Sequence, residues 1–157
     1  MMSGTTAKTP AQKIAEMIQN SIDDKQIGLL SGFNSVYIGE YQLFPDEKYP
    51  AITLTSDEHS FEVNGNKLAI ERNIMLYCHA IMPTLEESEE VLDELLFGDN
   101  GQGNKGMVKF LVDNPRFQVA GQFYLLQFTK GRIKSGFDQK SRATAQAEIP
   151  LKVVIWM

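Results

Sequence analysis

The spacing of apolar residues along the chain predicts two longer helices and a short third one, which follows the second after a loop. A first helix is predicted over residues 10–22, where a threonine followed by a proline supplies the cap and the first turn. A second helix begins after the capping box formed by Thr84 and Glu87 and ends at Gly98. A short third helix is predicted at residues 107–114. The apolar stripe of the first helix recurs at helical spacing: Ala11, Ile14, Ala15, Ile18 and Ile22.

Alternation of apolar and polar residues predicts two long β-hairpins. The first has arms at residues 52–63 and 68–82, joined by an Asn-Gly turn signal, and the second has arms at 123–137 and 143–157. Pro150 interrupts the last arm and cannot donate to a strand ladder, which favours an edge position or a bulge there. One face of that arm is predicted to carry its alternate apolar residues: Ala143, Ala145, Ala147, Ile149, Leu151, Val153 and Ile155.

Taken together, these elements predict a single α+β domain over residues 1–157. The expected order is α-ββ-α-ββ, with a four-stranded, mainly antiparallel sheet built from the two β-hairpins and with helices packed on one face. Residues 1–8 are small and polar and are expected to form a disordered tail. The glycine-rich stretch 98–106 is expected to be a flexible loop between two helical pieces.

The composition indicates a globular domain and excludes several classes of protein. Of the 157 residues, 43% are hydrophobic and 22% are charged, which excludes a disordered chain and a collagen-like one. No apolar run approaches the ~18 residues of a membrane span. The polar start of the sequence, which has no apolar stretch, predicts no secretory signal. The single Cys78 excludes an intrachain disulfide framework and a cysteine zinc cluster.

Charge is distributed unevenly along the sequence. The net charge of −5 makes the domain a poor candidate for binding the phosphate backbone of a nucleic acid. Residues 57–99 carry a net −9, whereas residues 130–142 carry a net +4. One interpretation is a solvated helix face and a solvated hairpin. The other is that one surface recognises the opposite surface of a neighbouring copy, in a head-to-tail contact that can close into a ring.

The residues that resemble catalytic or ligand-binding motifs lack the structural context that such sites require. Gly101, Gly103 and Gly106 spell G-x-G-x-x-G, but a dinucleotide site needs a strand before this motif, and here a helix precedes it. Cys78 and His79 are neighbours on a predicted strand and point to opposite faces, so they are interpreted as a core cysteine and a surface histidine. The sequence therefore predicts no catalytic, cofactor-binding or metal-binding residues, no cofactor, and a protein that is not an enzyme.

Aromatic residues are concentrated in the segment from Gly28 to Pro50, which contains five of them among glycines and prolines. Within it, residues 36–38 are expected to form a short strand. Tyr37, Tyr41 and Phe44 are candidates for contact with a neighbouring subunit, because aromatic side chains are enriched at the centres of interfaces. The alternative is that they cap one end of this chain's own core.

Five segments of the sequence carry a resemblance to a known family: VYIGE (36–40), FPDEKYPAITL (44–54), RNIMLYCHA (72–80), TLEESEEVLDELL (84–96) and AEIPLKVVIWM (147–157). With the order of the predicted elements, they resemble the tail terminator (tail completion) proteins of long-tailed bacteriophages. The resemblance covers nearly the whole chain from about residue 10. The glycine-rich stretch departs from it as an enlarged loop.

This resemblance implies a structural virion protein that caps the end of the tail tube as a hexameric ring. Such a ring ends tail elongation and provides the interface for head–tail joining. The implied partners are further copies of the chain, the major tail tube protein, and a neck or head-completion protein. The implied location is the tail or neck of the virion, and the host cytoplasm during assembly. DNA would pass through the lumen without specific binding, and no membrane is involved.

The passage of DNA sets an expectation for the wall of the ring. A pore lined by bases would retard DNA through many weak phosphate contacts, so acidic and neutral groups are expected there. Asp57 and Glu58, on an exposed stretch of the first hairpin, are the candidate lumen residues. Tyr37, Tyr41 and Phe44 are then candidates for the interface with a subunit or the tail tube. The alternatives are another head–tail connector or neck protein, and a small enzyme or nucleotide-binding module, against which the missing motifs argue.

Overall fold

Three helices and seven strands make up the part of the chain that the structure describes. The computed structural model describes residues 9–23, 33, 35–39, 49–98 and 106–156. The architecture is mixed α+β, and the strands form one curled sheet. In chain order the elements are α1 (Pro10–Asp23), β1 (Ser35–Ile38), β2 (Ala51–Asn64), β3 (Lys67–Ile81), α2 (Leu85–Phe97), α3 (Met107–Asp113), β4 (Arg116–Val119), β5 (Gln122–Gln127), β6 (Arg132–Phe137) and β7 (Ala143–Trp156).

The last strand, β7, is central to the sheet, whose order is β1-β2-β3-β7-β5-β4 with β6 also paired to β7. On one side β7 pairs with β3 along its whole length. On the other side it pairs with β6 as far as Glu148 and with β5 at residues 152–154. Residues 149–151 therefore pass an opening between β5 and β6. Pro150 lies in this opening, so its missing amide N–H falls at an interruption of the sheet and not on an edge strand.

The predicted four-stranded sheet from two hairpins is wrong. The predicted arm 123–137 is broken at residues 128–131 into β5 and β6, which pair with different halves of β7. A further strand, β4, joins β5 through Ala120 and Gly121, which both have positive φ (51° and 84°). This backbone suits a two-residue hairpin, but alanine is an unusual residue for it. Strand β1 adds to the sheet by pairing parallel to β2.

Several local predictions are confirmed. Helix α1 ends one residue later than predicted, and α3 ends one residue earlier. The hydroxyl Oγ1 of Thr84 accepts the backbone N–H of Glu87 at 3.2 Å, as the capping box requires. The first hairpin turns at residues 65–66, and Gly65 has the positive φ (63°) that an Asn-Gly turn favours. The strand predicted at residues 36–38 is present as β1.

The helices cover one face of the sheet, here called the inner face. The main core lies between the helices and this face. All seven alternate apolar residues predicted on one face of β7 are buried. Ile14 and Ile18 of α1 and Leu92 and Leu96 of α2 belong to the same core cluster. The side chains of the opposite, outer face are therefore the ones that decide what else the sheet contacts.

Candidate interaction surfaces on the sheet

The structure places one of the three candidate interface aromatics. Tyr37 lies on β1, is half-buried, and packs on the outer face against a small second cluster that contains Tyr49 and Ala51. Tyr41 and Phe44 lie outside the described residues. Whether these three side chains meet another protein therefore stays a prediction.

The candidate lumen residues lie at an irregularity of the first hairpin. The register of β2 against β3 shifts between Ser56 and His59, so that Asp57 and Glu58 together oppose Asn73. Two residues against one is the pattern of a β-bulge, which bends a strand and increases its twist. The side chains of Asp57 and Glu58 are outside the described part of the structure. Their role in a lumen likewise stays a prediction.

An aromatic cluster occupies the outer face near β1, where Tyr77 and His79 stack with ring centroids 6.0 Å apart and Tyr49 meets His79 edge-on at 6.3 Å. The guanidinium carbon of Arg142 lies 5.3 Å from the centroid of the Tyr49 ring, within cation–π range. Arg142 in turn donates from Nε to Oδ2 of Asp138 at 2.8 Å. The cluster is thus built from contacts within this chain.

The prediction that His79 is a surface histidine is wrong, because only 3% of it is exposed. Tyr49, far away in sequence, covers it on the outer face. Burial lowers the pKa of His79 to about 4, although the hydrogen bond with Gln146 acts to raise it. Cys78 points to the inner face and is fully buried, as predicted, and burial raises the pKa of its thiol.

The basic segment 130–142 is partly neutralised within the chain. Arg132 and Lys134 of β6 form ion pairs with Glu148 of β7 on the outer face. Burial acts to raise the pKa of Glu148, but hydrogen bonds from Arg132 and Lys134 outweigh it and the pKa lies below its ordinary value. Lys130, at the opening, is exposed and has no ion pair with another described residue. As far as the described residues go, its ammonium group is therefore available to a partner.

An apolar cavity of 340 Å³ lies where the opening between β5 and β6 meets the helices. Phe97 of α2 and Ile133 of β6 stand at its mouth and are 61% and 43% exposed. Lys130 and Arg132 supply its charged side chains. The remaining apolar lining comes from three elements (α2, α3 and β7) and from the loop before β6: Leu96, Val108, Phe128, Ala147 and Ile149.

A second exposed apolar surface lies on the opposite border of the sheet. Strand β1 pairs only with residues 51–54 of β2, so the rest of β2 is a free edge among the described strands. On this stretch Phe61 is 75% exposed and Val63 is 65% exposed. Residues 59–64 are here called the β2 edge. The alternation of apolar and polar residues could not identify the β2 edge as exposed, because the sequence does not show where the neighbouring strand ends.

No protein-family model and no curated protein matches the sequence. Within the described ranges, no group of three or more potential ligand side chains is arranged to hold a metal ion. None of the described helices combines the length and apolar character that crossing a membrane would require. The surfaces of the sheet and the sequence resemblance are therefore the features that bear on function.

Proposed function

We propose that this protein is a tail terminator of a long-tailed bacteriophage. It closes into a hexameric ring on the end of the tail tube, stops tail elongation and offers a surface for joining to the head. Its partners are copies of itself, the major tail tube protein and a neck or head-completion protein. It acts as a structural protein in the tail or neck of the virion and is assembled in the host cytoplasm.

The observation that carries the proposal is the exposure of large apolar side chains on two opposite borders of one sheet. Phe61 and Val63 lie on the β2 edge, and Ile133 and Phe97 lie at the cavity beside β6. Singly exposed apolar residues are ordinary, but grouped ones mark interaction sites. A subunit of a ring needs two different surfaces, one for each neighbour, and two unlike borders supply them.

The charge of the chain supports a ring through which DNA passes. The net charge is −5, and five acidic residues of α2 are exposed: Glu86, Glu87, Glu90, Asp93 and Glu94. Acidic groups on a lumen would repel phosphates and let the genome slide. Asp57 and Glu58 are the candidate lumen residues under this proposal. Tyr37, Tyr41 and Phe44 are the candidates for contact with a subunit or with the tube.

Mass photometry of the purified protein tests the proposal, with and without tubes of the major tail tube protein from the same phage. The expected result is a species of six times 17.6 kDa, in solution or bound to the tubes. Electron microscopy should show one ring at a tube end, and added ring protein should stop tube growth. A strictly monomeric protein that neither binds tubes nor limits their length would overturn the proposal.

A further inference from the structure

We infer that the β2 edge of one copy, with Phe61 as its anchor, docks into the apolar cavity beside β6 of the next copy. This inference rests on the proposed ring and names the contact between its subunits. The occupant of the cavity is thus a second copy of this chain. The contact is head-to-tail, because each copy contributes its β2 edge to one neighbour and its cavity to the other.

The positions of the two surfaces fit such a repeat. Strands β3 and β7 separate β2 from β6, so the β2 edge and the cavity lie on opposite borders of the sheet. At a strand spacing of about 4.8 Å, three spacings separate the two borders by roughly 14 Å. Neither surface can therefore be covered by the other within one rigid sheet. Within the part of the chain that the structure describes, each is left for a neighbouring molecule.

The size and lining of the cavity fit an aromatic anchor. A cavity of about 150 Å³ lined by Leu, Ile and Phe is large enough to bind benzene. The cavity beside β6 measures 340 Å³, which leaves room for the phenyl ring of Phe61 together with the side chain of Val63. Phe61 and Val63 alternate with Glu62 and share one side of the strand, so both can enter together.

Charge distinguishes Phe61 from Phe123, an exposed phenylalanine on another hairpin. Glu62 is exposed and has no ion pair with another described residue. It lies on the opposite side of the strand from Phe61 and Val63, where it can meet Lys130, which also lines the outer-face pocket beside Pro150. Phe123 is equally exposed, at 73%, but its hairpin β4–β5 carries Arg116 as its one charged residue. A basic hairpin would meet Lys130 and Arg132 with like charge. Complementary charge thus favours the β2 edge.

Single substitutions on each surface test the contact. Phe61→Ala removes the anchor, and Thr129→Trp places a bulky side chain in the cavity lining at an exposed position. Both variants should keep the melting temperature of the monomer, because both side chains are exposed. Each should raise the concentration at which rings half-assemble by about 30-fold, the loss typical of an interface hot spot. Phe123→Ala, which is matched in exposure, should leave assembly unchanged.

Mixing the two variants gives a sharper result. The intact β2 edge of Thr129→Trp can dock into the intact cavity of Phe61→Ala, but no further junction can form. An equimolar mixture should therefore stop at heterodimers, which light scattering resolves from monomers and rings. In a second pair, Glu62→Lys and Lys130→Glu should each weaken assembly. In their equimolar mixture both kinds of heterologous junction bring opposite charges together, so rings of alternating variants should be recovered.

The outcomes separate this inference from the proposed function. If wild-type protein forms rings and both Phe61→Ala and Thr129→Trp form them equally well, the contact lies elsewhere and only this inference falls. If the variants fail alone and the mixture also yields no heterodimer, the two surfaces do not meet each other. If wild-type protein stays monomeric even with tubes, the proposed function falls, and this inference falls with it.

Discussion

The backbone N–H of Gly106 donates to the carbonyl oxygen of Gly98 at 2.9 Å and so joins the end of α2 to the start of α3. The two helices approach so closely here that a Cβ at Gly106 would lie 2.3 Å from the carbonyl carbon and oxygen of Leu96. Relieving such a clash would require the backbone of Leu96 to move, which costs free energy. Leu96 and Met107 are both buried, so this junction also fixes the helices above the core.

Gly106→Ala is therefore expected to lower the free energy of unfolding by about 1–3 kcal/mol, as overpacking typically does. The matched control is Gly136→Ala, since nothing lies within 4 Å of a Cβ built at that position. The control should change stability by no more than about 0.5 kcal/mol. Urea denaturation of the three proteins measures the difference. Equal stability of the two variants would contradict the close approach.

The hydroxyl of Ser88 links α2 to two strand ends. It accepts the backbone N–H of Met82 at 2.8 Å and donates to the carbonyl oxygen of Ala143 at 2.9 Å, and the residue is fully buried. Ser88→Ala leaves these backbone groups without their partner and should cost about 1–3 kcal/mol of stability. The exposed Ser60→Ala is the control. Chemical denaturation that gave the same midpoint for both variants would refute the assigned role.

The parts of the fold that sequence alone predicts are those set by neighbouring residues. The cap at Thr84, the turn at Gly65 and the alternation along β7 each depend on residues a few positions apart. These local predictions hold in the folded protein because no contact with distant residues opposes them. They predict the three helices, the first hairpin and the buried face of β7.

The parts that sequence reasoning misses depend on distant pairing. The break at residues 128–131 carries no strong turn signal, and the turn at Ala120 uses a residue that seldom adopts positive φ. The prediction that His79 is exposed came from its pointing to the face opposite the core Cys78, yet Tyr49 covers it from a remote segment. The cavity beside β6 arises only when α2, α3 and β7 meet. No local pattern could predict it.

Stability should depend on pH through His79. Burial lowers its pKa from 6.5 to about 4, so the folded state favours the neutral imidazole. Between these values the unfolded chain binds the additional proton. The stabilisation is therefore fully present above pH 6.5 and declines as the pH falls toward 4, by about 3 kcal/mol over that range.

Urea denaturation from pH 7 to pH 4 measures this slope. His79→Gln should flatten it, whatever its effect on stability at pH 7, because glutamine cannot titrate. The exposed His59→Gln should keep the wild-type slope. A His79→Gln variant as pH-dependent as the wild type would show that other groups cause the decline.

The outer face offers a matched pair of tyrosines that separates an interface from a core. Tyr49 is 7% exposed and contacts His79 and Arg142, whereas Tyr37 is half-buried at the edge strand β1. Tyr49→Ala should lower the free energy of unfolding of the monomer by about 3–5 kcal/mol, like other truncated core aromatics. Tyr37→Ala should lower the free energy of unfolding by only about 1 kcal/mol, because less of the Tyr37 side chain is buried in the folded monomer.

The proposed function adds a second readout for Tyr37. If its exposed part meets a neighbouring subunit or the tail tube, Tyr37→Ala should weaken ring assembly or tube capping about tenfold or more, beyond what its small stability loss explains. Assembly is measured by mass photometry and capping by the length of tubes grown in its presence. Tyr37→Phe should keep most of the assembly, since the ring supplies the contact area. A Tyr37→Ala variant that assembles normally but unfolds as readily as Tyr49→Ala would assign Tyr37 to the core of its own subunit.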